Sequence, residues 1–93
     1  MNFELEFLEE AFDEWKRLDA SIRNQFKKKL AERLVEPKIP SSKLSGHPDR
    51  YKIKLRSVGY RLVYEVQNGR LVVLVVAVGK RDQNAVYKVA EKR

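Results

Sequence analysis

The spacing of apolar and polar residues changes period along the chain, and each period predicts an element. Phe3, Leu5 and Phe7 alternate with Glu4 and Glu6, the two-residue repeat of a short strand with one buried face. From Leu8 the repeat lengthens. Leu8, Ala11, Phe12, Trp15 and Leu18 lie three or four apart, the stripe of an amphipathic helix. Asp19 and Ser21 are candidate N-caps for a second helix, in which Ile22, Phe26, Leu30 and Leu34 recur at i+4. Lys27, Lys28 and Lys29 flank that stripe and read as a solvated face. Trp15 sits on the apolar stripe and reads as core. Pro37 and Pro40 end the helix and open a loop, 40–49, rich in Ser, Gly and Pro. That loop carries His47, the single histidine, with no ligand or triad partner spaced around it.

A three-strand meander follows. Tyr51, Ile53 and Leu55 alternate with Lys52, Lys54 and Arg56, and Tyr60, Leu62, Tyr64 and Val66 alternate with Arg61 and Glu65. Tyr60 and Tyr64 therefore belong to the core, while one sheet face carries the cations. The turn between these strands is ambiguous. A three-residue Ser57-Val58-Gly59 loop sets Arg56 opposite Tyr60, whereas a loop of two or four residues keeps polar opposite polar, with Arg56 facing Arg61. The second is expected, because a one-residue slip turns a buried set outward. It gathers Arg61 beside Lys54 and Arg56, an arrangement that is unfavourable unless an anion joins it. Asn68-Gly69 predicts a type I′ hairpin. Leu71–Val78 is apolar on both faces and reads as a central strand. Strict alternation puts Val72, Leu74 and Val76 on the cationic face, where the C-terminal segment or a partner must cover them. Gly79-Lys80-Arg81 leaves the sheet, and Asp82 caps a last helix carrying Val86, Tyr87, Val89 and Ala90. At about ten residues that helix is marginal in isolation.

The expected fold is therefore α+β: one domain over residues 1–93, with a small antiparallel twisted sheet made of the meander plus the N-terminal strand. Two N-terminal helices pack on one face, and a short C-terminal helix completes the chain. Without cysteine, neither disulfides nor thiolate metal sites support it. The longest apolar run is too short to span a bilayer, and the N-terminus lacks the basic and apolar regions of a signal peptide. The expectation is a cytoplasmic protein with no membrane contact.

Charge sharpens the picture. The net charge is +7, from 20 basic and 13 acidic residues. Residues 1–36 carry 7 Lys/Arg and 9 Asp/Glu, while residues 37–93 carry 13 and 4, so the whole excess lies with the alternating strands. A polyanion is the implied partner. Nucleic acid is favoured over an anionic membrane, since the cations lie on strands rather than on an amphipathic helix. Walker, dinucleotide-binding and paired His or Cys motifs are absent. The acidic residues concentrate in the helical half, which argues against two-metal nuclease chemistry. What remains is a cluster of Lys, Arg and Tyr. Such groups can cleave RNA without a cofactor, by attack of the 2′-hydroxyl on its own phosphodiester. This needs a base, cations for the phosphorane and an acid for the leaving 5′-oxygen. Tyr87 is one candidate base, although bringing a phenol from about 10 to neutrality takes roughly 4 kcal/mol of support for the phenolate. Lys52 or Lys54, each among cationic neighbours, is another.

Lys43-Leu44-x-Gly46, Tyr51-Lys-Ile-Lys-Leu-Arg56, Gly59-Tyr-Arg-Leu-Val-Tyr64 and Val78-Gly-Lys-Arg81 followed by Tyr87 resemble the RelE family of bacterial toxins in order and spacing. The resemblance covers essentially the whole chain. It implies the toxin of a type II toxin–antitoxin pair, a ribosome-dependent endoribonuclease that cuts mRNA codons in the ribosomal A site. Lys52, Lys54, Arg61, Arg81 and Tyr87 would form the catalytic set. Arg61 would bind the phosphorane, and Arg81 would protonate or neutralise the leaving oxygen. Arg56, Lys43 and Lys80 would contact RNA. Ser45 departs from a position often basic in the family. The resemblance further implies a RelB-like antitoxin that wraps the toxin and displaces the last helix. Operator DNA would be reached only through that complex, and neither cofactor nor metal is implied. Two alternatives are a ParE-like toxin of the same fold acting on DNA gyrase, and a non-catalytic RNA- or ribosome-binding module.

Overall fold

A computed structural model describes residues 2–82 and 84–93. Its elements in chain order are strand β1 (Glu4–Phe7), helices α1 (Glu9–Lys16) and α2 (Ala20–Val35), strands β2 (Arg50–Leu55), β3 (Tyr60–Gln67) and β4 (Val72–Lys80), and helix α3 (Ala85–Glu91). Asp19 occupies the N-cap of α2, and the helix ends at Val35, ahead of Pro37. The sheet order is β1-β4-β3-β2. The meander β2-β3-β4 is antiparallel, and β1 joins β4 in parallel, Glu4 opposite Val72, so the four-stranded sheet is mixed. The parallel arrangement follows from connectivity. Two helices carry the chain over one face from β1 to the far edge, and the meander returns to β1 from there.

The two sheet faces hold separate apolar clusters. On one, Tyr51, Ile53, Leu62, Tyr64, Val73 and Val75 meet Trp15, Ile22, Phe26 and Leu30 from α1 and α2. Phe12, expected on the buried stripe, is instead 45% exposed, with its ring edge-on to Phe7 and Lys16 above it. On the other face, Val63, Val76 and Ala77 lie beneath Val86 and Ala90 of α3. Of the strip expected on the cationic side, the C-terminal segment therefore covers Val76, together with Val63 and Ala77.

The alternation of β4 breaks at one point. Val63 faces Ala77 and Tyr64 faces Val75, which leaves Val76 as an extra residue, a β-bulge. Beyond it the faces exchange. Val78 joins the helix-covered cluster, while Gly79 pairs with Arg61 on the cationic side. β4 stays in the sheet to Lys80, further than its Gly79-Lys80-Arg81 composition implies. β1 ends at Phe7, opposite Val75, so the next backbone groups of β4 have no strand beside them. Side chains serve them instead. Glu14 Oε1 accepts from the Val78 N–H at 3.2 Å, Arg93 donates to the Val76 carbonyl at 3.0 Å, and Arg93 and Glu14 pair with each other at 2.9 and 3.2 Å.

The first hairpin has one of the expected loop lengths but a different pairing, and the second departs from the expected turn type. Leu55 faces Tyr60 around a four-residue Arg56–Gly59 turn, so Arg61 faces Lys54 rather than Arg56. Polar still faces polar, but the pairing sits two residues earlier. The Val58 and Gly59 N–H groups both donate to the Leu55 carbonyl, and Gly59 takes the left-handed position at φ +72°. The second turn is built alike. Asn68–Arg70 forms a 3₁₀ turn and Leu71 takes φ +54°, so no type I′ turn forms at Asn68-Gly69. The last helix is shorter than expected. Asn84, at φ +61°, holds its N-cap position, and Asp82 contributes its backbone carbonyl, to the Ala85 N–H.

Gly59→Ala should therefore cost about 1–2 kcal/mol, the left-handed penalty. Gly69→Ala, outside that region and with open space around its Cβ position, should be neutral or stabilising by up to about 1 kcal/mol. Urea denaturation of the two variants checks the contrast. Glu14→Ala, which strands the Val78 N–H and Arg93, should cost about 1–3 kcal/mol in the same measurement.

Candidate active site

A cleft of about 340 Å³ opens on the cationic face, lined by Lys54, Arg56, Arg61, Arg81, Asn84 and Tyr87. The residues arrive from several parts of the fold. Lys54 and Arg61 are a cross-strand pair on β2 and β3. Arg56 stands in the turn between those strands. Arg81 follows β4, and its backbone N–H donates to the Gly59 carbonyl at 2.6 Å, which ties the end of β4 to that turn. Asn84 and Tyr87 come from the start of α3. Opposite Arg61 stands Gly79. A Cβ there would lie 3.4 Å from Val86, so the missing side chain lets α3 sit close over the strand.

Arg61 is 6% exposed, the one buried charged side chain among the described residues. Its Nη1 donates to the Tyr60 carbonyl at 3.0 Å. Like charges held close together disfavour one another's charged forms, and the effect appears on Lys54. Lys52 beside it lowers the Lys54 pKa below the ordinary lysine value, with smaller contributions from desolvation, Arg56, Arg61 and Arg81. The cleft thus combines a lysine whose pKa is lowered, three guanidinium groups, of which Arg61 is held by the Tyr60 carbonyl, and a phenol on the wall formed by α3.

Two side-chain clamps hold that wall. Arg50 pairs with Glu65 at 3.2 Å and donates to the Ala90 carbonyl at 2.6 Å, while Arg93 engages Glu14 and Val76 on the other side. The amide of Gln67, followed by Arg50, holds the Glu65 carboxyl below the usual carboxylate range, against the opposing effect of burial.

Comparison with known proteins matches this architecture. The family model described as the ParE toxin of type II toxin–antitoxin system, parDE, fits residues 5–85. The mRNA interferase toxin RelE of Escherichia coli strain K12 is 53% identical over 93 residues, all of this chain and 98% of the relative. The chain belongs to the RelE family of toxins. A doubly substituted variant of E. coli toxin RelE, solved in the free state, superposes with a TM-score of 0.92 at 52% identity, covering all of this chain and 98% of that one. The toxin in the intact E. coli RelBE toxin–antitoxin complex matches with a TM-score of 0.83 and 52% identity, over 86% of this chain and 98% of its own.

Of the residues expected from the RelE-family motifs, the cleft brings together Lys54, Arg56, Arg61, Arg81 and Tyr87. It does not include Lys52, which lines an adjoining cavity with Arg33, Ser41 and Ser42. Lys43 lies in a separate hollow with Ser45 and His47. Lys80 pairs with Tyr60, so the bulge turns it to the opposite face from Arg61, beside Glu14 and Val78. Tyr87 also packs on the cluster beneath α3, and so serves as both core and wall. Asn84 escaped the sequence reading. The signal was available, since Asn tolerates the left-handed conformation a helix start after a tight turn can require. Arg33 carried no such signal, because only the fold brings α2 to the edge of β2.

Lys54 should titrate below the other lysines, as followed by NMR at its Nζ. Lys52→Ala should return it toward the ordinary value by more than Arg81→Ala does. Raising salt from 0.1 to 1 M, which shortens the screening length from about 10 to about 3 Å, should act in the same direction.

Proposed function

We propose that the chain is the toxin of a type II toxin–antitoxin pair, an endoribonuclease that cuts mRNA in the A site of the ribosome, in the cytoplasm where translation proceeds. The observation that carries this reading is the convergence of Lys54, Arg61, Arg81 and Tyr87 on one cleft. The name of the 53%-identical relative, mRNA interferase toxin RelE, supports it. The RelBE complex supports a RelB-like antitoxin as partner.

In this mechanism Lys54, with its lowered pKa, takes the proton of the 2′-hydroxyl. The 2′-oxygen attacks the adjacent phosphorus. Arg61, rigid and nearly buried, compensates the extra charge of the phosphorane. The bond to the 5′-oxygen breaks, and Arg81 neutralises the departing alkoxide or protonates it, since an alkoxide is a stronger base than guanidine. The products are a 2′,3′-cyclic phosphate and a 5′-hydroxyl, and no water is consumed. Tyr87 orients the ribose from the α3 side. Its phenolate form is the alternative acceptor of the first proton. The reaction is read as metal-independent because the cleft is lined by cations and neutral groups, which repel a divalent ion rather than bind it. The ribosome supplies the in-line pose of the substrate. The ParE description of the family model favours a second reading, a gyrase-directed toxin, for which this cleft has no assigned use.

Mapping the 5′ ends of a translated mRNA after brief induction should show cuts within codons, in frame. Lys54→Ala and Arg81→Ala should each lower single-turnover cleavage of ribosome-bound mRNA by at least about 10²-fold, and Tyr87→Phe should also lower it. Ribosome binding should be largely spared. The cleavage rate should rise with pH and level off below the ordinary lysine pKa, because the active form of Lys54 is the neutral amine. Variants that cut at the wild-type rate refute the assigned roles, and intact mRNA with stalled replication favours the gyrase reading.

A further inference from the structure

A second cavity, of about 300 Å³, lies along the outer edge of β2 and is lined by Arg33, Ser41, Ser42, Lys52, Lys54 and Arg56. It shares Lys54 and Arg56 with the cleft, so the two hollows flank the same pair of cations. Its lining holds four cations, two hydroxyls and no carboxylate. Arg33 is fixed in place. Its Nη1 donates to the Tyr64 hydroxyl at 2.8 Å and to the Lys52 carbonyl at 3.4 Å, and its Nη2 donates to Ser42 Oγ at 3.3 Å. The Tyr64 hydroxyl is itself anchored on the Pro37 carbonyl at 2.6 Å. These acceptors are all neutral, so the guanidinium charge is oriented but not compensated. Ser42 Oγ accepts from Arg33 and keeps its own proton to donate.

The strand edge contributes as well. The Arg50 carbonyl accepts from the Leu44 N–H, and the Lys52 carbonyl from Arg33. The even-numbered backbone groups of β2 therefore point away from β3, and by the same alternation the Lys54 N–H points toward this cavity. A pre-oriented guanidinium, two hydroxyls and an edge N–H among lysines form a site for a phosphate oxyanion.

We propose that this cavity binds a second RNA phosphodiester, next to the one held in the cleft, with Arg33, Ser41, Ser42 and Lys52 as its ligands. The inference rests on the ribonuclease reading and extends it. It gives Lys52 a task, since this lysine shares the cationic face yet stays out of the cleft. With Lys54 and Arg56 between the two sites, the strand is gripped on one side of the scissile bond, which restricts rotation of the attacking 2′-oxygen. The phosphodiester belongs either to the messenger or to ribosomal RNA.

Binding of 2′-O-methyl oligoribonucleotides, which lack the attacking hydroxyl, separates these cases. For the messenger, a trinucleotide with two phosphates should bind wild-type protein about 10-fold more tightly than a dinucleotide with one. Its log–log salt slope should be steeper by about 0.7. Arg33→Gln, which retains a donor for Tyr64, and Ser41→Glu, at an exposed position, should each reduce that advantage below threefold. For ribosomal RNA, the oligonucleotides should show no such advantage, while both variants bind mRNA-free ribosomes about 10-fold more weakly. Either result supports the second site. The proposal is overturned if both variants bind oligonucleotides and empty ribosomes within twofold of wild type with unchanged salt slopes. The ribonuclease reading is judged separately, by loss of cleavage in Arg81→Ala.

Discussion

One extra residue in β4 decides where the chemistry of this protein can lie. With strict alternation, Arg81 would share a face with Val73 and Val75 and point toward α1 and α2. The bulge at Val76 exchanges the faces, so that Gly79 meets Arg61 and Arg81 follows on the same side. A bulge disrupts the ladder and leaves polar backbone groups to be satisfied. It falls where β1 has run out, and Glu14 and Arg93 supply the missing partners. The same two side chains bind to each other and so fasten the C-terminal end to α1. A local irregularity, its compensation and the seating of α3 are one arrangement.

Electrostatics gives that arrangement its cost and its use. Lys54 and Arg61 face each other across two strands, with Arg56 and Arg81 nearby. The fold tolerates this because Tyr51, Ile53, Leu62 and Tyr64, on the reverse side of the same strands, lie in the main core. Apolar burial behind the sheet holds like charges together in front of it. On the proposed reading, an incoming phosphate would meet donors whose mutual repulsion it relieves, before any new shape is required.

Much of this was legible in the sequence. The change from two-residue to three- and four-residue spacing located β1, α1 and α2, and the doubly apolar run located β4 between two neighbours. The alternation from Tyr51 to Arg56 separated the core face from the cationic one. Turn geometry was not legible. Asn68-Gly69 has the composition of one hairpin type, yet the strands are joined by a four-residue turn whose left-handed position falls on Leu71, where composition gives no warning. The exchange of faces at Val76 was hidden for a related reason. In a run of valines every register buries similar side chains, so the pattern does not mark which residue is extra. Arg81 was thus read as catalytic and the adjoining Lys80 as an RNA contact, although they project to opposite sides of the sheet. Arg33 was hidden because its significance lies in a meeting of α2 with β2, nineteen residues away from Lys52.

The clamps on α3 have a further consequence. This helix has seven residues, too few to persist alone in water, and it carries Tyr87 and Asn84. Its attachment depends on the small apolar cluster beneath it and on Arg50 and Arg93, not on the larger core around Tyr64. Its detachment is therefore a separate equilibrium from global denaturation. A molecule in which only α3 has lifted keeps its sheet, α1, α2 and most of its cations, but lacks one wall of the cleft. On the proposed reading, potency would follow the fraction of molecules in which the roughly two turns of α3 are docked, a quantity that a thermal melt would not register.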